Sequence, residues 1–174
     1  MRSHELPRPR VTNVPVLYLD FDGCLHPQEV WQQRGGEPYV REPLGHRTFE
    51  HAALLEGLLR PYPDVRIVLS TTWTRHHGYL GAAAHLPTPL RRRCVGAVWH
   101  HAMDRHEFDQ LERGQQVLED VESRHPTTWL AIDDDARGWG DALETNLVVT
   151  HPVLGIAEPT VLERLRTALE RFDE

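Results

Sequence analysis

Lysine is absent from this 174-residue sequence, and all 19 basic residues are arginine. Without lysine the phosphate-binding loop GxxxxGK[ST] of nucleotide kinases and ATPases cannot be built; biased genomic composition accounts for the preference for arginine itself. Cysteine is scarce as well. Cys24 and Cys94 are the only two, too few for a disulfide framework in a chain of this size, so both are read as reduced thiols of a cytoplasmic protein. Long apolar runs are missing: nothing approaches the roughly 18 residues of a membrane span, and the start, MRSHELPRPRVTN, carries arginines but no apolar h-region. Neither membrane insertion nor secretion is expected. Positive charge is also in short supply, and a net charge of −7 argues against a sequence-blind polyanion binder, which rests on clustered cations.

The hydrophobic content of 40% is enough to enclose a core, and the length suits one domain spanning residues 1–174. Apolar runs bounded by turn residues predict strands at Val14 to Leu19, Val65 to Ser70, Val95 to Val98, Thr128 to Ile132 and Leu147 to Thr150. Helical spacing appears in TFEHAALLEGLLR, in a segment marked by Phe108, Leu111, Leu118 and Val121, and in a last helix opening near Pro159. Strands alternating with helices predict an α/β fold, a three-layer sandwich around a mostly parallel sheet of about five strands. Two stretches break the alternation. Residues 28–45 read as a hairpin closing at Arg34-Gly35-Gly36-Glu37, and residues 73–93 as an insert of short helical pieces broken by Gly78, Gly81, Pro87 and Pro89. Neither is long enough for a lid domain.

In an open parallel sheet ligands collect at the carboxyl edge. Asp20 and Asp22 end the first predicted strand, Ser70 and Thr71 the second, and Asp133-Asp134-Asp135 the fourth, while Arg113 lies just before the helix that descends into that fourth strand. Any one of these polar residues alone is explained as a turn or a helix cap. Five carboxylates on one rim repel one another unless a cation sits among them, and a hard divalent ion with oxygen ligands, Mg²⁺, meets that need.

YLDFDGCL resembles the first motif, DxDGxL, of the haloacid dehalogenase (HAD) superfamily of phosphohydrolases, and IVLSTTW, Arg113-Gly114 and WLAIDDD are similar to its second, third and fourth motifs, in order. STTW followed by Arg75, together with IDDD, looks most like the small capless HAD domains of Swiss-army-knife RNA repair proteins and their stand-alone bacterial relatives. The resemblance implies a Rossmann-like sheet, capless or with only a small hairpin flap, and a Mg²⁺-dependent phosphomonoesterase working through an aspartyl phosphate. Asp20 would be the nucleophile and Asp22 the general acid and base. Thr71, in preference to Ser70, would hold phosphoryl oxygens with Arg113. Asp20, the backbone carbonyl of Asp22, Asp133 and Asp134 would surround the metal. Relatives usually carry lysine in the third motif, where this chain has Arg113, whose planar fork is not geometrically equivalent to an ammonium; Arg105 is its rival.

In the superfamily it resembles, an open pocket goes with bulky substrates such as nucleic-acid ends or phosphoproteins, so the resemblance implies a phosphorylated nucleic-acid end or nucleotide as substrate, with a small-metabolite phosphatase and a non-catalytic binding or regulatory module on the same fold as alternatives. Trp31, Arg34, Tyr39 and Arg41 on the hairpin could stack a base and grip its backbone, or simply pack on the domain. His26 lies near enough to the first motif to touch substrate. Cys24 is read as a small residue filling a tight loop, Arg91-Arg92-Arg93 as a solvated run, and the pairs His76-His77 and His100-His101 as unsuited to zinc, since adjacent side chains diverge.

Overall fold

The computed structural model describes residues 11–174; the arginine-bearing start, residues 1–10, lies outside them. The described chain runs β1 (Val16–Leu19), β2 (Val30–Trp31), β3 (Tyr39–Val40), α1 (Ala52–Leu59), β4 (Arg66–Leu69), α2 (Trp73–Ala84), α3 (Thr88–Arg91), β5 (Cys94–Ala97), α4 (Arg105–Gln110), α5 (Arg113–Arg124), β6 (Trp129–Asp133), α6 (Ala142–Thr145), β7 (Leu147–Val149) and α7 (Pro159–Leu169), closed by a 3₁₀ turn at Glu170–Asp173. Five strands form one sheet in the order β5-β4-β1-β6-β7, and every neighbouring pair is parallel.

The apolar runs read as strands because both faces of the sheet are covered, as parallel sheets require. Leu17 and Leu19 of β1 point with Ile67, Leu69, Leu130 and Ile132 into one core, closed by Leu55 and Leu59 of α1, Trp73 and Ala82 of α2, and Leu165 of α7. Val16 and Tyr18 point the other way, with Val68 and Ala131, against Phe108 of α4, Val117 of α5 and Trp139. Each fully buried leucine or valine contributes about 1.5–3 kcal/mol relative to exposure, so the alternation fixes the register of β1 on both sides. The result is the expected three-layer, Rossmann-like α/β sandwich.

Three local readings need correction. The stretch 73–93 is no insert: α2 and α3 are the crossover that parallel strands β4 and β5 demand. α2 kinks at Gly78, where φ is +71°, but runs through Gly81 without a break. The hairpin turn sits one residue earlier than predicted, with Gly36 N–H bonded to Gln33 O at 2.9 Å and Gly35 at φ +75°. Phe108 and Leu118 do not share a helix. Glu112 opens α5 through a reciprocal bond with Gln115, which leaves Phe108 on the separate α4.

Candidate active site

The register of the sheet assembles the site. Leu19 is level with Leu69 on one side and Ile132 on the other, so the next residues, Asp20, Ser70 and Asp133, emerge side by side at the carboxyl edge. Backbone bonds hold that step: Asp20 N–H to Ile132 O at 3.1 Å and Ser70 N–H to Leu19 O at 3.0 Å. Oxygen atoms of Asp20, Asp133 and Asp134 lie within 4.8 Å of one another, the one group of three potential metal-ligating side chains this close among the described residues. Gly23 permits the approach of Asp134. A methyl group there would lie 2.5 Å from Asp134 Oδ2, and the residue's φ of +73° disfavours any side chain.

Arg113 opens α5 and turns inward. It donates from Nη1 to Ser70 O, and its Nε stands 3.4 Å from Asp133 Oδ2. Burial alone would lower its pKa, but Asp20 and Asp133 outweigh burial and hold it charged. Arg105, the rival, is largely exposed and paired with Asp109 at 3.7 Å. Arg75, also tied to Asp109, lies over the Phe108 ring and joins α2 to α4 away from the rim.

The carboxylates are strained electrostatically. Burial pushes Asp20 up; Arg113 and a hydrogen bond from the Thr71 hydroxyl oppose this, and Asp22 adds to it. Burial and then Asp20 push Asp133 well above the usual carboxylate range, and the same two causes lift Asp134 to about 6. Asp133 Oδ2 is buried with no hydrogen-bond partner. Three carboxylates crowded together, one of whose oxygens accepts no hydrogen bond and has the Arg113 guanidinium 3.4 Å away as its counter-charge, offer the oxygen ligands that fit a hard divalent cation.

Asp20, Asp22, Arg113, Asp134 and Asp135 line an open cleft of about 420 Å³ together with Gln28, Thr72 and Arg137. The last three escaped the sequence reading. Arg137 is drawn to the rim by a two-pronged pair with Asp135, Nε to Oδ1 at 2.9 Å and Nη2 to Oδ2 at 2.6 Å; no pattern in DDDARGWG announces that. Ser70 and Thr71 are both buried and lie beneath the cleft rather than on its wall. The Thr71 Oγ1 accepts from Trp73 N–H at 3.3 Å while its hydroxyl serves Asp20, whereas Ser70 Oγ has no partner. Thr72 is the hydroxyl residue of this turn that reaches the cleft.

His26 does not reach it. The ring is fully buried, bonded to Asp22 at 2.9 Å and to the Phe49 backbone at 3.0 Å, so the expectation of substrate contact is corrected. The hairpin residues also stand outside the cleft wall. Trp31 and Tyr39 face each other across the strands, 48% and 41% exposed, and the Arg41 guanidinium lies 5.2 Å from the Trp31 ring centre; Arg34 is exposed in the turn. Gln28, at the foot of the hairpin, is the link to the cleft. A larger hollow of about 820 Å³ along β5 and α5 contains none of the converging rim residues.

A five-stranded parallel sheet with β1 at its centre, carrying paired aspartates just past the end of β1 and further aspartates at the end of its neighbour β6, defines a Rossmann-like domain of the HAD type. Residues 16–161 match the family model described as the HAD domain in Swiss Army Knife RNA repair proteins, and the chain belongs to that family. Neither a curated protein nor a solved structure matches it.

Proposed function

We propose that this protein is a Mg²⁺-dependent phosphomonoesterase that works through an aspartyl phosphate on Asp20, with nucleic-acid ends or nucleotides as substrates. The observation that carries the reading is the meeting of Asp20, Asp133 and Asp134 with Arg113 at the end of the central strand. Membership of a HAD family makes phosphoester hydrolysis the expected chemistry. Asp20 and Asp133, with Asp134 at their side, would hold Mg²⁺, which neutralises phosphoryl charge when bound.

The chain's own residues divide the work. A carboxylate oxygen of Asp20 attacks phosphorus and the bond to the leaving oxygen breaks, while the Asp22 carboxyl passes its proton to that oxygen. In the second step water attacks the phosphorus of the acyl phosphate, its proton returns to Asp22, and phosphate and the Asp20 carboxylate are regenerated. Thr71 orients Asp20 through its hydroxyl. Arg113, charged and at the cleft wall, offers its remaining N–H groups to phosphoryl oxygens, and so does Thr72. The cleft is open, and the exposed Trp31, Tyr39 and Arg41 beside it give a polymeric substrate a place to stack.

The test is release of inorganic phosphate from an aryl phosphate, with Mg²⁺ and with EDTA, by wild type and Asp20→Asn. Metal-dependent release lost in the variant is the expected result, followed by a screen of nucleotides and of 3′- and 5′-phosphorylated RNA and DNA ends. Failure on every substrate overturns the reading in favour of a non-catalytic module.

A further inference from the structure

Asp22 is held from behind by two residues that never reach the cleft. The His26 ring is fully buried, and its Nδ1 lies 3.0 Å from the backbone N–H of Phe49, which can only donate. Nδ1 therefore carries no proton, and the ring is the Nε2–H tautomer. That N–H points at Asp22 Oδ1, 2.9 Å away. From α2 the indole N–H of Trp73 is shared between Asp22 Oδ1 at 3.0 Å and Oδ2 at 3.1 Å.

Both donors are themselves fixed. Phe49 adopts φ +58°, an unusual backbone state for a bulky residue, and its ring packs edge-on to His26, Trp73 and Phe21, with centroids 4.8, 5.3 and 5.0 Å away. Trp73 is buried and its backbone N–H is anchored on Thr71 Oγ1, the hydroxyl that also serves Asp20. One aromatic cluster thus holds Asp22 directly and reaches the Thr71 hydroxyl through the Trp73 backbone. The two oxygens of Asp22 are left unequal: Oδ1 accepts from two donors, Oδ2 shares one. The Asp22 side chain is still 27% exposed and lines the cleft.

We propose that His26 and Trp73 are positioning residues that clamp Asp22 through Oδ1 and leave Oδ2 as the oxygen that exchanges the proton with the leaving group and then with water. This rests on the phosphomonoesterase reading above. Neither residue touches substrate. Their effect is orientation, which matters because a proton donor contributes only when it lies within hydrogen-bond reach of the atom it serves.

Leaving-group chemistry gives the readout. A phosphate ester with a very acidic leaving group departs without proton donation, whereas an alkyl phosphate needs it. Wild type, Trp73→Phe, His26→Gln and Asp22→Asn are assayed with Mg²⁺ on a series of esters from nitrophenyl to alkyl phosphate, after circular dichroism confirms the fold. Since a proton donor contributes about 10²–10⁴-fold, we expect Trp73→Phe and His26→Gln to lose at least ten times more rate on the alkyl than on the nitrophenyl ester, in the direction of Asp22→Asn. Equal losses on all esters, with a leaving-group-selective loss in Asp22→Asn, overturn the clamp alone. A uniform loss in Asp22→Asn as well, or no turnover by wild type, overturns the underlying reading and the clamp with it.

Nitrogen-15 NMR of the metal-free protein provides an arm independent of turnover, and its tautomer reading needs wild type alone. His26 should be the Nε2–H tautomer, and Asp22→Ala should shift the Trp73 indole resonance. An Nδ1–H tautomer, or an indole signal indifferent to Asp22→Ala, refutes the clamp.

Discussion

Replacing Gly114 by alanine adds one methyl group at the start of α5, beside Arg113. In an open helical position that change stabilises, by about 0.5–1 kcal/mol, because alanine has the higher propensity and loses less entropy on folding. Here the methyl would lie 2.5 Å from Gly138 O, about 0.9 Å short of the 3.4 Å at which ordinary contact begins, with the backbone of Gly138 and Trp139 equally close. Backbone cannot turn aside as a long side chain can, and Gly114 N–H is bonded to Arg137 O at 2.9 Å across the same contact. Overpacking of this kind costs about 1–3 kcal/mol. With a urea m-value of roughly 2 kcal/mol/M for a chain of this size, the unfolding midpoint should fall by about 1 M. The shift would also move Arg113 relative to Asp133, and a displacement near 1 Å can cost about 10²-fold in rate. Gly57→Ala in α1, where nothing lies within 4 Å, is the matched control and should raise the midpoint slightly. A Gly114→Ala protein with an unchanged or higher midpoint would refute the close packing of α5 on the loop after β6.

Three further outcomes are expected. Mg²⁺ at 100 times its Kd should stabilise the fold by about 2.7 kcal/mol, a rise in Tm of roughly 5–10 °C for a chain of this length; differential scanning calorimetry should show the rise lost in Asp133→Asn, and an equal rise in that variant would remove Asp133 from the metal set. Both thiols should be silent to a disulfide-exchange dye at pH 8. Burial lifts Cys94 to about 12 and Cys24 well above its usual value, with Asp20 and Asp133 adding to the effect, so the nucleophilic thiolate is scarce below those values. Two equivalents should react after unfolding, and fast native labelling of either would contradict the burial. Finally, Trp31→Ala with Tyr39→Ala should weaken turnover of a phosphorylated oligonucleotide several-fold more than of an aryl phosphate; base stacking is worth about 1–3 kcal/mol, and equal losses would leave the hairpin without a binding role.

The strands were legible because VLYL and RIVL are buried on both faces, so apolar runs and strands coincide within a residue or two. Asp20, Asp133 and Arg113 could be placed on one rim from element order alone, since parallel topology puts every strand end there. What could not be read depends on side chains meeting across the fold. Thr71 looks equivalent to Thr72 in STTW, and only the direction of the chain after Leu69 sends one to Asp20 and the other to the cleft. The helical pattern of TFEHAALLEGLLR suggested a helix through Phe49. The chain instead bends there to present Phe49 N–H to His26, and α1 begins at Ala52.

The order of the sheet has a consequence for synthesis. β1 is the first strand of the sheet in the chain, yet one of its two partners, β6, lies more than a hundred residues later. At about 5–20 residues per second, β1 waits on the order of ten seconds on the ribosome with one edge bare, a run of VLYL open to unwanted pairing. Asp20 meets Asp133 and Asp134 only when that edge closes. A chain cut short anywhere before Asp133 can carry the first motif intact and still lack the meeting of the three carboxylates, so that cluster belongs to the finished sheet and to no fragment of it.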